Sequence, residues 1–117
     1  MKRRSGSKYF AKKTQCHHGH THDSKGEAAR CEELHIRQKA GEISRLTIYP
    51  KFTFSIDGVQ LKHRNGHRVG MTADFEYFEG NKHIVEDFKG YVVRDWPLRR
   101  AIFCALYPYI ALREIRK

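Results

Sequence analysis

Two aspartates and a lysine in the second half of the chain have the residue types and spacing of a divalent-metal site. Strand alternation places Asp74 on one face of a first strand, and it places Asp87 and Lys89 on one face of the next. An acid in mid-strand costs stability if it is buried and unpaired. Because adjacent strands bring their acids together, we predict that Asp74 and Asp87 bind a cation beside the Lys89 ammonium.

Such a site suits phosphodiester hydrolysis, which needs a water nucleophile and compensation for charge on the phosphate oxygens. Magnesium prefers hard oxygen ligands and keeps several waters. We predict Asp74 and Asp87 as ligands, the backbone carbonyl of Phe88 as a third, and Lys89 as the group that orients water or stabilises the transition state.

Glu27 is a further candidate for the metal cluster or for holding a metal-bound water. It heads a helical stripe that continues through Cys31, Leu34 and Gln38. Ser24 lies three residues before it, so a capping box explains Glu27 without catalysis. Both interpretations remain open from sequence.

The second acid is also ambiguous, because Glu86 and Asp87 are adjacent. Alternation favours Asp87, since it shares a face with Lys89. A plainer alternative for Asp74, Asp87 and Lys89 is a cross-strand ion pair on a solvated sheet face.

The elements that must position these residues are those of a mixed α/β domain with helices on a central sheet. Their predicted order is a hairpin around Gly19, a helix from Ser24 to Ala40, strands in 43–56 broken at Pro50, a basic loop 60–70, a strand pair in 71–90, a helix from Trp96 to Leu106 and a strand from Tyr109 to Ile115. The second helix has Asp95 as a predicted N-cap, Pro97 in its first turn, an apolar face of Leu98, Ala101, Ile102 and Ala105, and outward-pointing Arg99 and Arg100.

Length and composition indicate one domain, with a basic arm at 1–8 and the domain proper at 9–117. No run approaches a membrane span, and the basic N-terminus lacks the apolar region of a signal peptide. Three widely spaced cysteines fit a reduced, cytoplasmic setting.

A net charge of +10 in 117 residues points to a polyanionic partner, with nucleic acid favoured over a membrane surface. Some of the basic side chains are expected to contact phosphates, although a merely solvated surface is the simpler alternative. The candidates are Lys12, Lys13, Lys62, Arg64, Arg68, Arg99 and Arg100.

A histidine-rich segment offers a rival metal site. Cys16, His17, His18, His20 and His22 could bind structural zinc, with Cys31 as another ligand. Their spacing does not match a standard zinc finger, so we favour a polar hairpin that contacts DNA or solvent.

Taken together, the acid in ADF (Asp74), the acid-x-lysine in VEDFKG (Asp87 to Lys89) and the helical acid in DSKGEA (Glu27) resemble the PD-(D/E)XK, or restriction-endonuclease-like, nuclease superfamily. The chain is more closely similar to a family of small phage and prophage proteins of undescribed function assigned to it. That resemblance runs from about Tyr9 to Ile115 and includes FAKKT, KAGEI, YPKF and YPYIALREI. Ala73 replaces the superfamily's usual proline.

The resemblance implies a restriction-endonuclease-like core of helix, three-stranded meander, helix and strand. It also implies magnesium-dependent DNA cleavage, with manganese as a substitute, in the cytoplasm of a bacterial host. One site cuts one strand, so cleavage of a duplex or a Holliday-type junction would need a homodimer. Selectivity for branched DNA in phage recombination is an expectation from resemblance alone.

Overall fold

A computed structural model describes residues 14–15, 21–22, 25–89 and 94–116. The helices are α1 (Lys25–Lys39) and α2 (Trp96–Leu106). The strands are β1 (Thr14–Gln15), β2 (Thr21–His22), β3 (Ser44–Ile48), β4 (Lys51–Thr53), β5 (Ser55–Ile56), β6 (Val59–Gln60), β7 (Gly70–Thr72), β8 (Phe75–Glu79), β9 (Lys82–Lys89) and β10 (Ile110–Arg116). The predicted mixed α/β class, with two helices and a central sheet, is confirmed. The described residues between α1 and α2 form seven strands, which is more than the three or four expected from the sequence, because the segment from Lys51 to Thr72 forms additional short strand pairs.

The central sheet has the strand order β10-β9-β8-β3. β9 is antiparallel to β8 and parallel to β10, and β3 is antiparallel to β8, so the sheet is mixed. The parallel return to the sheet needs a crossover, which α2 supplies between β9 and β10. Three two-stranded pairs lie outside it: β1-β2, β4-β7 and β5-β6.

Buried side chains form two clusters. The first joins α1 to the sheet and contains Ala28, Cys31, Leu34, Ile43, Phe75, Tyr77 and Ile84. The second involves α2 and the β4-β7 pair and contains Phe54, Met71, Ala73, Val85, Trp96, Phe103 and Ile110. Successive residues of β9 therefore pack in different clusters: Ile84 lies in the first and Val85 in the second. Because both faces of β9 are covered, all four residues from Ile84 to Asp87 are buried.

The first helix follows its predicted pattern. Glu27, Cys31 and Leu34 of the proposed stripe are buried. Gly41 has φ of 83°, and Glu42 N–H donates to Arg37 O at 2.9 Å, which is the closure expected after a helix that ends at a glycine. Ser24, the proposed N-cap, lies outside the described residues.

The second helix has the predicted bounds, but its predicted apolar face is wrong. Trp96 and Phe103 are the buried residues, whereas Leu98 is 67% exposed. Large aromatic side chains bury more apolar area than alanines do, so the helix turns them toward the core. Asp95 makes no side-chain capping bond, because its carboxylate binds Arg99 at 2.6 Å.

The predicted first strand of the 71–90 pair, which begins at Met71, is interrupted at Ala73 and Asp74. Met71 and Ala73 pack in the cluster at α2, whereas Phe75 and Tyr77 pack in the cluster at α1. A regular strand would keep these odd-numbered residues on one face. Asp74 therefore sits at a bend between β7 and β8 and not in mid-strand.

In the described part of the chain, neither helix has the length and apolar character needed to cross a membrane.

Candidate functional site

Three acids lie near one another at the bend between β7 and β8: Glu27 from the first turn of α1, Asp74 at the bend itself and Asp87 from β9. The antiparallel register of β8 and β9 pairs Phe75 with Glu86, so its continuation sets Asp74 beside Asp87. Burial raises the pKa of Asp74 to about 8, and the Glu27 and Asp87 carboxyls add to the rise. Asp74 thus lies near Asp87 in the folded chain, and the Glu27 carboxylate is near enough to affect the pKa of Asp74.

Backbone hydrogen bonds hold Asp74 in place. The Phe88 N–H donates to Asp74 Oδ2 at 2.6 Å, and this bond opposes the rise in the pKa of Asp74. The Asp74 N–H donates to Glu86 O at 3.1 Å, and its carbonyl accepts from Tyr49 N–H at 3.0 Å. The carboxyl group is thereby directed at the end of β9, where Asp87 lies.

Tyr49 is a site residue that sequence reasoning missed. Its hydroxyl donates to Glu27 Oε2 at 2.6 Å, and Glu27 is only 2% exposed. Its backbone has φ of 55°, a left-handed conformation that is strained for a tyrosine. The only hint in the sequence is that Tyr49 precedes Pro50, where the strand was predicted to break.

The adjacent acid, Glu86, binds Arg30 and Tyr77 and does not belong to the acid cluster. Arg30 Nε and Nη2 donate to its two oxygens at 2.9 and 2.6 Å, and the Tyr77 hydroxyl donates at 2.5 Å. Burial raises the pKa of Glu86, but the bonds from Arg30 and Tyr77 outweigh it and hold the pKa below its usual range. Glu86 points toward α1, so Asp87 is the acid of this pair that lies with Asp74.

The predicted basic surface divides into two kinds of residue. Lys62, Arg64 and Arg68 are exposed. Arg99 donates to Gly70 O and to Asp95 Oδ2, and Arg100 donates to Glu114 Oε2 at 2.6 Å. The prediction that these two arginines simply point outward is therefore wrong for Arg99, which lies against β7.

Several predicted site residues fall outside what the structure describes. Lys89 ends β9 opposite Arg116 in β10, but its side chain is not described. Lys12, Lys13 and the histidine-rich positions Cys16, His17, His18 and His20 are also outside, as is the side chain of His22. β1 and β2 do pair antiparallel, as the proposed hairpin requires. Cys31, the further zinc candidate, is buried in α1.

The acid cluster offers the ligand chemistry that magnesium prefers. Glu27, Asp74 and Asp87 supply carboxylate oxygens, and their mutual repulsion is relieved when a cation binds. Among the described residues, however, no three acid, histidine or cysteine side chains already form a group that could hold one ion. The carboxylate oxygens are thus of the type that magnesium prefers, but the described residues do not already form a complete set of ligands around one position.

Comparison of the sequence with known protein families assigns the chain to one family. The chain matches, over residues 6–117, the family described as protein of unknown function (DUF1064). No curated protein and no solved structure matches it significantly. Because the match takes in nearly the whole chain, this protein belongs to the DUF1064 family.

Proposed function

We propose that this protein is a magnesium-dependent deoxyribonuclease of the PD-(D/E)XK type. The observation that carries the proposal is the meeting of Glu27, Asp74 and Asp87 at the bend between β7 and β8. Placing the half-buried Asp74 beside the buried Glu27 and Asp87 is costly without a cation or a proton to offset their charge. The raised pKa of Asp74, about 8, reflects that cost. The order of the acid motifs along the chain adds the resemblance to this superfamily.

In this proposal Asp74 and Asp87 hold the ion from adjacent chain segments. Phe88 offers its carbonyl as a third ligand. Its N–H binds Asp74 at 2.6 Å, and the N–H and C=O of a strand residue point toward the same neighbouring strand. Magnesium, when bound, supplies Lewis acidity and an activated water.

Glu27 and Lys89 have accessory roles in this proposal. The hydrogen bond from Tyr49 fixes one oxygen of Glu27 and leaves its carboxylate beside Asp74, where it can bind a metal-held water. Lys89 lies two residues after Asp87 and provides the ammonium that stabilises charge on the phosphate oxygens.

The test compares wild type with Asp74→Asn, Asp87→Asn and Lys89→Ala on supercoiled, single-stranded and branched DNA. Each reaction contains magnesium, manganese or a chelator. We expect cleavage by wild type only with a divalent cation, and loss of at least about 100-fold in each variant. Asp57→Asn is the matched control, because Asp57 is exposed in the β5-β6 turn and asparagine tolerates its φ of 52°.

A non-catalytic DNA-binding module on the same fold is the alternative, favoured by the exposed basic residues of the 62–68 loop. The same assay separates the two functions. DNA binding by wild type without cleavage of any of these substrates, in either cation, would establish the binding module and reject the nuclease.

A further inference from the structure

A basic groove is lined by residues that are close in sequence to Asp74 of the acid cluster. It has a volume of about 600 Å³ and lies where β4 and β7 meet the start of α2. Its lining includes the cations Lys51, Arg68 and Arg99 and the aromatic residues Phe52 and Trp96, and none of the acids that the structure describes lines it. A groove with this combination attracts a polyanion while offering apolar contact beside the charges.

The groove has a rigid floor and one anchored cation. The backbones of β4 and β7 are so close that a Cβ on Gly70 would collide with the carbonyl oxygen of Phe52. Arg99 is fixed on the wall by its bonds to Gly70 O and to the Asp95 carboxylate. Its position is therefore set before any ligand binds.

The other two cations are available to a ligand. Lys51 and Arg68 are exposed, and neither forms an ion pair with another residue that the structure describes. Arg68 also pairs with Lys62 across an isolated β-bridge, so the exposed loop 62–68, which contains no acid, adjoins the groove at Arg68. Positive charge thus extends outward from the groove.

The groove and the acid cluster are built on the same two chain segments. Lys51 pairs with Thr72, Ala73 N–H donates to Pro50 O at 3.0 Å, and Tyr49 N–H donates to Asp74 O at 3.0 Å. Thr72 and Asp74 are two residues apart, which is at most about 7 Å along the chain. A nucleic acid strand lying in the groove would therefore pass close to Asp74.

We infer that this groove binds the sugar–phosphate backbone of the DNA strand that is cut, next to the reacting phosphate. This inference rests on the proposed nuclease function, because only that function requires the bound strand to run from the groove toward Asp74. Lys51 and Arg68 neutralise successive phosphates, Arg99 acts as a fixed donor, and Phe52 supports the apolar side of the strand. We assign a nucleic acid strand as the ligand because its negative charges repeat regularly along its length. Such a strand can contact the cations of the groove and those of the 62–68 loop at the same time.

The experiment measures binding of a fluorescein-labelled 20-nucleotide single strand and the matching duplex in a chelator, so that cleavage cannot interfere. The double variant Lys51→Ala/Arg68→Ala is compared with wild type from 50 to 200 mM salt. Loss of two phosphate contacts should reduce the slope of log K against log salt by about 1.4 for the single strand and about 1.8 for the duplex. Lys39→Ala/Lys82→Ala is the matched control. These lysines are exposed, and they lie at the ends of α1 and β9 that are opposite to Glu27 and Asp87.

An unchanged slope and affinity in Lys51→Ala/Arg68→Ala, with an unaltered thermal melt, would overturn the inference. Competition by an oligoglutamate of equal charge as strongly as by DNA would also overturn it, because the groove would then bind polyanions without distinguishing a DNA strand from an acidic peptide. The proposed function is judged separately by cleavage: Asp74→Asn should keep the groove-dependent slope while losing cleavage. If no cleavage occurs but the slope still depends on Lys51 and Arg68, the nuclease fails and the groove remains a DNA-binding site.

Discussion

The Tyr49 hydroxyl donates a 2.6 Å hydrogen bond to Glu27 Oε2, and this bond ties the turn after β3 to the first turn of α1. Glu27 is almost fully buried, so the tyrosine satisfies an acid that has little contact with water. The backbone of Tyr49 also holds Asp74 through its N–H. One strained residue therefore positions two members of the acid cluster.

Removal of that hydroxyl should cost stability. Tyr49→Phe keeps the ring and backbone but leaves Glu27 Oε2 without this donor, so we expect a loss of about 1–3 kcal/mol in the free energy of unfolding. Urea denaturation measures it. Tyr109→Phe is the control, because Tyr109 is 68% exposed and should change little. Equal stability of the two variants would show that the bond to Glu27 contributes nothing net.

The raised pKa of Asp74 predicts how stability depends on pH without a divalent cation. Between its ordinary value of 3.8 and about 8, the folded state holds a proton that the unfolded state has released. Asp74 therefore makes stability fall as pH rises through this window, by at most about 1.4 kcal/mol per pH unit. Asp74→Asn should remove this contribution and be the more stable protein at pH 8.5. Thermal melts from pH 5 to 8.5 in chelator check it, and parallel curves for both proteins would contradict it.

Magnesium should stabilise the folded protein if the acid cluster binds it. A ligand that binds only the folded state adds RT ln(1 + [L]/Kd), about 2.7 kcal/mol at a concentration of about 100 times Kd. We expect a higher melting temperature for wild type in magnesium at pH 8, and a smaller shift for Asp74→Asn and Asp87→Asn. Asp57→Asn should respond like wild type. Equal shifts in all four proteins would place the magnesium elsewhere.

The Arg30–Glu86 pair should matter for folding and not for metal binding. Arg30→Ala leaves the buried Glu86 carboxylate without its bidentate partner, so we expect a loss of about 3–5 kcal/mol. Glu33→Ala removes the exposed second partner of Arg30 and should change stability by less than about 0.5 kcal/mol. Urea denaturation compares them. A mild effect of Arg30→Ala would mean that Tyr77 alone satisfies Glu86.

The floor of the groove should not tolerate a larger residue. Gly70→Ala places a methyl group against the Phe52 carbonyl oxygen and must separate β4 from β7, with an expected cost of about 1–3 kcal/mol. Thr72→Ala, at an exposed position of the same strand, is the matched control. Thermal melts measure both. Equal stability of the two variants would show that the β4-β7 pair adjusts freely.

Local patterns were sufficient for the two helices and for the break at Pro50. The α1 stripe, the glycine after it and the break at Pro50 depend on spacing and backbone preference, which act within a few residues. Alternation along β9 likewise favoured Asp87 over Glu86, and the structure places Asp87 with Asp74. The wrong face of α2 has a different origin. Small apolar residues fit either side of a helix, and the aromatic residues that decide its rotation do so by packing on other strands.

What the sequence alone determined is therefore the element types, the mixed α/β class and the acids able to serve as ligands, because each follows from short-range periodicity and residue chemistry. Only the tertiary structure decided that the strand bends at Asp74, that Tyr49 holds Glu27, that Arg30 engages Glu86 and that Lys51, Arg68 and Arg99 share one groove. Those relationships join residues far apart in the chain. They depend on strand register and on the burial of charge, and local spacing encodes neither.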